Sequence, residues 1–149
     1  EYIDFLKSLR IRKSEKWNTK IRKPRNELKF DKGFFSSSWL DKETGEPFSG
    51  WGEQNHENGN IKKEWFFDEG VMLYQAFYFP NGQLKDEQYL NGTKRHGPAL
   101  GYYKNGTQRF VAYFVNGEKW LPTINYYENG NIKGDFLYWN GKEAGYANS

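Results

Sequence analysis

The sequence predicts an all-β protein, an elongated antiparallel meander of about four 24-residue β-hairpin repeats behind a short basic arm that is helical or irregular. Three observations predict it. Asn-Gly turn signals recur at a nearly constant spacing, aromatic residues stand in fixed columns between them, and rings replace aliphatic residues throughout. The chain holds 12 Phe, 11 Tyr and 6 Trp in 149 residues. Rings bury much area per residue and favour strands, so they can build the core of a thin β structure. The length suits one domain with its own core.

The turns come in two interleaved series. Glycines 59, 82, 106 and 130 step by 23, 24 and 24 residues, and glycines 45, 70, 92, 117 and 141 by 25, 22, 25 and 24. Seven of these nine carry a preceding Asn; Asp68-Glu69-Gly70 and Glu43-Thr44-Gly45 fill the other two slots. Two series with one period mean two turns per repeat. Asn-Gly is the strongest short-range hairpin signal and points to a type I′ turn, with φ > 0 at both central residues. Roughly nine residues lie between turns, enough for a strand of the usual five or six. Nine turns therefore imply about ten up-and-down strands, a single twisted sheet about 45 Å wide if it stays open. Neighbour-on-neighbour contacts would stabilise it.

The columns fit that register. Asn55, Tyr78, Tyr102 and Tyr126 stand four residues before the first-series glycine, and His56, Phe79, Tyr103 and Tyr127 three before it. Neighbours in a strand face opposite sides, so each doublet is expected to place one ring on the core face and one on the surface. Gly50, Gly52, Gly101 and Gly134 inside strands suggest bulges or close backbone contacts.

These residues carry a resemblance. Tyr126-Tyr127-Glu128-Asn129-Gly130-Asn131-Ile132-Lys133, Asn58-Gly59-Asn60-Ile61-Lys62, Glu46-Pro47-Phe48-Ser49-Gly50 and Asn91-Gly92-Thr93-Lys94-Arg95-His96-Gly97 resemble the bacterial variant of the MORN repeat, found in proteins labelled antitoxin components. The resemblance covers residues 28–143. It implies hairpin arrays used as interaction scaffolds, with no shared active site. Asn55-His56 departs from the aromatic doublet and Asp68-Glu69-Gly70 from Asn-Gly, both in the first clear repeat, where an atypical capping unit is expected.

The arm, residues 1–27, precedes a repeat domain of residues 28–149. Residues 1–32 carry 11 Lys/Arg against 5 Asp/Glu, a net of +6, while residues 33–149 carry 11 against 14, a net of −3. Tyr2, Phe5, Leu6 and Leu9 fall at helical spacing, so residues 1–12 read as a short amphipathic helix able to dock on the sheet. Arg22-Lys23-Pro24-Arg25 cannot continue a helix, and residues 13–27 read as a basic linker. Arg10, Arg12, Lys13, Arg22, Lys23 and Arg25 are the candidates for binding an anion.

Little points to catalysis. Without cysteine there is no disulfide, thiolate nucleophile or Cys-based metal site. His56 and His96 lie a repeat and a half apart, not at a chelating spacing, and read as a half-buried ring substitute and a piece of repeat consensus. Gly-x-Ser-x-Gly, phosphate-loop and dinucleotide motifs are absent. Two-residue turns leave no long loops for a pocket, and neither cofactor nor metal is implied. No apolar run approaches the ~20 residues of a membrane span. The chain opens at Glu1 without Met, as removal of a leader from a periplasmic or secreted protein, or trimming, would leave it.

The reading is therefore a non-enzymatic protein-binding scaffold. A single sheet cannot hide rings on both faces without a partner layer, so the excess of rings is the sign of a binding face. Tyr78, Phe79, Tyr102, Tyr103, Tyr126, Tyr127, Trp65 and Trp139 are its candidates. The alternatives are a binder of nucleic acid or lipid headgroups through the arm, and a carbohydrate-binding module with rings stacked on sugars.

Overall fold

A computed structural model describes residues 15–34, 36–139 and 142–148. The strands are β1 (Arg22–Pro24), β2 (Leu28–Lys32), β3 (Ser37–Asp41), β4 (Gly50–Asn55), β5 (Ile61–Asp68), β6 (Val71–Tyr78), β7 (Leu84–Asn91), β8 (Lys94–Tyr102), β9 (Gln108–Val115), β10 (Glu118–Lys119), β11 (Thr123–Tyr126), β12 (Ile132–Trp139) and β13 (Lys142–Asn148). Eleven of them form one sheet in the order β1-β4-β5-β6-β7-β8-β9-β11-β12-β13, with β10 also on β9, while β2 and β3 pair as a separate hairpin. From β4 onward the pairing is antiparallel. The all-β meander expected from the repeat is therefore formed. Helical structure in the described residues is confined to two 3₁₀ turns, Glu15–Asn18 and Arg25–Glu27.

The first series of turns differs from expectation. Asn58, Asn81, Asn105 and Asn129 do not take positive φ; only their glycines do, at 89° to 92°. Gly106 donates to the Tyr103 carbonyl (2.9 Å) and Tyr103 N–H to Thr107 (2.8 Å), and the same pair of bonds closes the loops ending at Gly59, Gly82 and Gly130. This is the three-residue loop, a type I turn followed by a left-handed glycine that makes a bulge. Asn is there for another reason. Its Oδ1 accepts the N–H two residues on, from Asn60, Gln83, Thr107 and Asn131 in turn, at 2.9–3.0 Å. A register shift recurs beside each loop, at Asn55, Tyr78, Tyr102 and Tyr126. In the second series Glu69-Gly70 and Asn116-Gly117 do carry positive φ at both residues, the I′ pattern. Gly92 is positive and opens the turn with Thr93, the II′ pattern. Asn140-Gly141 lies outside the described residues.

Cross-strand rows define the two faces. Glu64, Ala76, Glu87, Leu100, Val111 and Ile124 pair in succession and share the first face. Lys63, Phe77, Asp86, Gly101, Phe110 and Asn125 form a row on the second. Over the early strands both faces are covered, and by the N-terminal segment. On the first face Trp17 stacks on Phe66 (ring centroids 4.3 Å) and meets Tyr74 edge-on (5.7 Å), beside Trp51 and Ala76. On the second, Leu28, Phe48 and Trp39 close over Trp65, Phe67 and Met72.

Residues 15–27 are thus no solvated linker. Lys16 pairs with Asp68 (2.5 Å), Trp51 Nε1 donates to the Trp17 carbonyl (3.2 Å), and β1 lies parallel to β4. Pro24 is tolerated because β1 is an edge strand, where a missing N–H leaves no ladder bond broken. The expected docking residues Tyr2, Phe5, Leu6 and Leu9 lie outside the described residues; Trp17 and β1 do the docking that can be seen.

Two changes test this architecture. Gly106→Val forces a branched side chain into φ +90° and should cost on the order of 1 kcal/mol or more in chemical denaturation. Trp17→Ala should cost about 2 kcal/mol, below the ~3–5 kcal/mol for losing a fully buried ring, because Trp17 is half-buried. An unchanged midpoint in the second case would mean that the segment does not hold the sheet.

Candidate functional site: a groove across the uncovered half of one face

The β2–β3 hairpin covers the second face only as far as β6. Beyond it that face opens into a groove of about 400 Å³. The floor is a cross-strand row of Gln88, Ala99 and Ala112, which Thr123 extends, since Ile124 pairs with Val111. One wall carries Phe77, Asp86, Phe110 and Asn125, the other Arg95, Phe114 and Lys119. Phe110 and Phe114 stand four residues apart in β9, about 13 Å at ~3.3 Å per residue. At its near end the groove continues past Gln75 to Phe30 and Trp39 of the hairpin.

The trough follows from β8. Gly97, Ala99 and Gly101 alternate, so one side of that strand presents almost no side chain. Gly101 makes room for the wall: a Cβ there would lie 2.3 Å from Cε1 of Phe110, whose ring lies over the glycine and would have to shift. The ring walls are braced by cations. The Arg109 guanidinium sits 4.9 Å from the Phe110 centroid and bonds Asp86 (2.6 Å); Arg95 lies 5.1 Å over Phe114 and Lys63 5.5 Å over Phe77. Asp86 is thus matched within the wall, whereas no carboxylate among the described residues forms an ion pair with Arg95. Thr123 is 5% exposed and lines the groove, yet its Oγ1 has no hydrogen-bond partner.

The opposite face carries buried carboxylates that are answered. Tyr78 donates to Glu64 Oε1 (2.9 Å), Arg22 Nη1 to Glu64 Oε2 (2.8 Å), and Tyr74 to Glu87. Burial first, then the neighbouring carboxylate, pushes both tyrosine hydroxyls well above the ordinary value, so they stay protonated donors.

The sequence candidates are placed differently from the expected row of exposed rings. Trp65 and Tyr126 are buried in core clusters; Tyr102 packs on the cluster of Leu100 and Val111, and Tyr78 on that of Phe66. Two members of the second column tie repeats together. His56 Nε2 bonds the Tyr78 carbonyl (3.0 Å) and Tyr103 Oη donates to the Tyr126 carbonyl (2.6 Å). Phe79 is half-buried; Tyr127 is 50% exposed. Trp139 lies in β12, its side chain outside the described residues. Of the basic candidates, Arg22 pairs with Glu64, Lys23 with Asp41 (2.9 Å) and Glu43 (3.4 Å), and Arg25 donates to the Leu28 carbonyl (3.1 Å) above the Trp39 ring. Arg10, Arg12 and Lys13 lie outside the described residues. The described residues hold no cluster of three metal-ligating side chains and no helix long and apolar enough to cross a membrane.

Sequence reasoning missed Phe77, Gln88, Arg95, Phe110, Phe114 and Thr123. The small-residue alternation of β8 was the available signal. Against known proteins, residues 122–140 match the family model of the MORN repeat variant. That stretch is similar to a MORN repeat. The matched segment covers β11, its three-residue loop and β12, the hairpin that recurs upstream with the same bulge. No curated protein matches the chain significantly.

Two outcomes are expected. Thr123→Val removes an unsatisfied buried hydroxyl at nearly constant shape and should stabilise the free protein by about 1 kcal/mol in urea denaturation. Tyr74 and Tyr78 hold their protons in the fold while the unfolded chain ionises near pH 10. Their contribution is therefore complete below pH 10 and lost as pH rises beyond it, so pH-dependent melting should show an alkaline limb.

Proposed function

We propose that this protein is a non-enzymatic scaffold that binds an extended segment of a partner protein in the groove over β7–β11. One observation carries the reading: a rigid sheet face, left uncovered by the N-terminal hairpin, combines ring walls with a few convergent polar groups. That combination is typical of recognition sites. Neutralising or tethering the bound partner, as an antitoxin-like scaffold would, needs nothing further from the chain.

The alternatives draw less support. Sugar stacking needs free ring faces, and the groove rings have cations against theirs. Anion binding through the arm would have to break the ion pairs of Arg22 and Lys23 and the contacts of Arg25.

Backbone amide shifts of the ¹⁵N-labelled full chain provide the test, with peptides selected on it from a random display library. Shifts should concentrate at Gln88, Ala99, Ala112 and Phe114 and spare Glu43 and Tyr127. Selection of no peptide, or shifts confined to Glu43 and the turn at Tyr127, would count against the scaffold.

A further inference from the structure

We infer that the groove selects an acidic segment, a Glu or Asp side chain of the extended partner meeting Arg95 while polar groups of the floor meet its backbone. The inference rests on the scaffold reading and names the chemistry of its partner. Charge is the first argument. Arg109 matches Asp86, and Glu87 turns its carboxylate to Tyr74 on the opposite face. The guanidinium of Arg95, which lines the groove, forms an ion pair with no carboxylate among the described residues. It is also oriented: lying 5.1 Å from the Phe114 centroid, it keeps a planar fork of N–H groups for a carboxylate, which such a fork binds in bidentate fashion.

The second argument is independent of charge. A buried hydroxyl without a partner is costly and uncommon, and Thr123 has one at the floor of this groove. The amides of Gln88 and Asn125 line the same trough, so polar groups stand at both ends of the Ala99–Ala112 floor, where an extended backbone crossing it can meet them. From Gln88 to Thr123 the floor crosses three strand intervals, about 14 Å, the reach of about four extended residues. The chain's own residues 1–14 are a poor occupant, because Lys7, Arg10, Arg12 and Lys13 outnumber Glu1 and Asp4 beside Arg95.

The experiment uses the full chain and ten-residue selected peptides with amidated C-termini, each made in a Glu and a Gln version. Fluorescence titration at two salt concentrations reads the affinity. The Glu versions should bind at least about tenfold more tightly, the equivalent of one charge-assisted contact, and the preference should shrink with salt. Arg95→Gln should abolish the preference. Thr123→Val should weaken binding while raising the melting temperature, a pairing that lost folding cannot produce, and Thr123→Ser should restore affinity. Equal binding of Glu and Gln peptides, or a preference that survives Arg95→Gln, overturns the inference and leaves the scaffold standing. If no peptide binds, both fall.

Discussion

A single layer of sheet has two faces and no second layer to hide them, and most of this structure answers that constraint. Sandwiches solve it by packing sheet on sheet. Here the segment before the meander wraps the early strands from both sides, Trp17 on one face and the hairpin residues Leu28, Trp39 and Phe48 on the other. Farther along, the first face closes on itself, as Leu100, Val111, Ile124 and Tyr126 gather Tyr102, Tyr113 and Leu121 around them. The second face has only its own rings and small residues there. The groove is what remains when cover is supplied to three of four half-faces.

The same clamp resolves an electrostatic difficulty. The first-face row carries two carboxylates, Glu64 and Glu87, on either side of the fully buried Ala76. A buried carboxylate without partners is strongly unfavourable. Tyrosines supply a hydroxyl to each, but Glu64 also takes Arg22, which β1 delivers by pairing Arg22 with Trp51. Docking of the N-terminal segment and satisfaction of Glu64 are therefore one event. An arm that reads as a free basic tail by composition spends Lys16, Arg22, Lys23 and Arg25 on internal partners.

The period, the hairpin order and the paired turns were legible in the sequence because each rests on local chemistry, a glycine that must take positive φ and an Asn that bonds two residues on. Turn type was less legible. Asn-Gly serves both a two-residue I′ turn, as at Asn116-Gly117, and a three-residue loop, as at Asn105-Gly106, and the bulge beside the loop decides between them. Which rings face outward could not be read from alternation alone, since a bulge at every Tyr78-type position resets the parity of the strand. His56 and Tyr103 show the result, reaching along the sheet edge to the next repeat's carbonyl. Docking of residues 15–27 was hidden because it depends on Trp51 and Phe66, distant in sequence.

The groove's shape depends on small residues more than on large ones. Without a Cβ at Gly101 the Phe110 ring lies down over the strand, where it backs Arg109 and keeps Asp86 matched. A larger residue would push that ring away from the strand and disturb the wall. Ala99 and Ala112 keep the floor low, and the cations over Phe110 and Phe114 hold the walls in place before anything binds. Little ordering is then left for the moment of association, when immobilising each long side chain costs about 0.5–1.5 kcal/mol. The proposed recognition therefore rests on rigidity, and the orphaned hydroxyl of Thr123 marks where bonding among the described residues stops short.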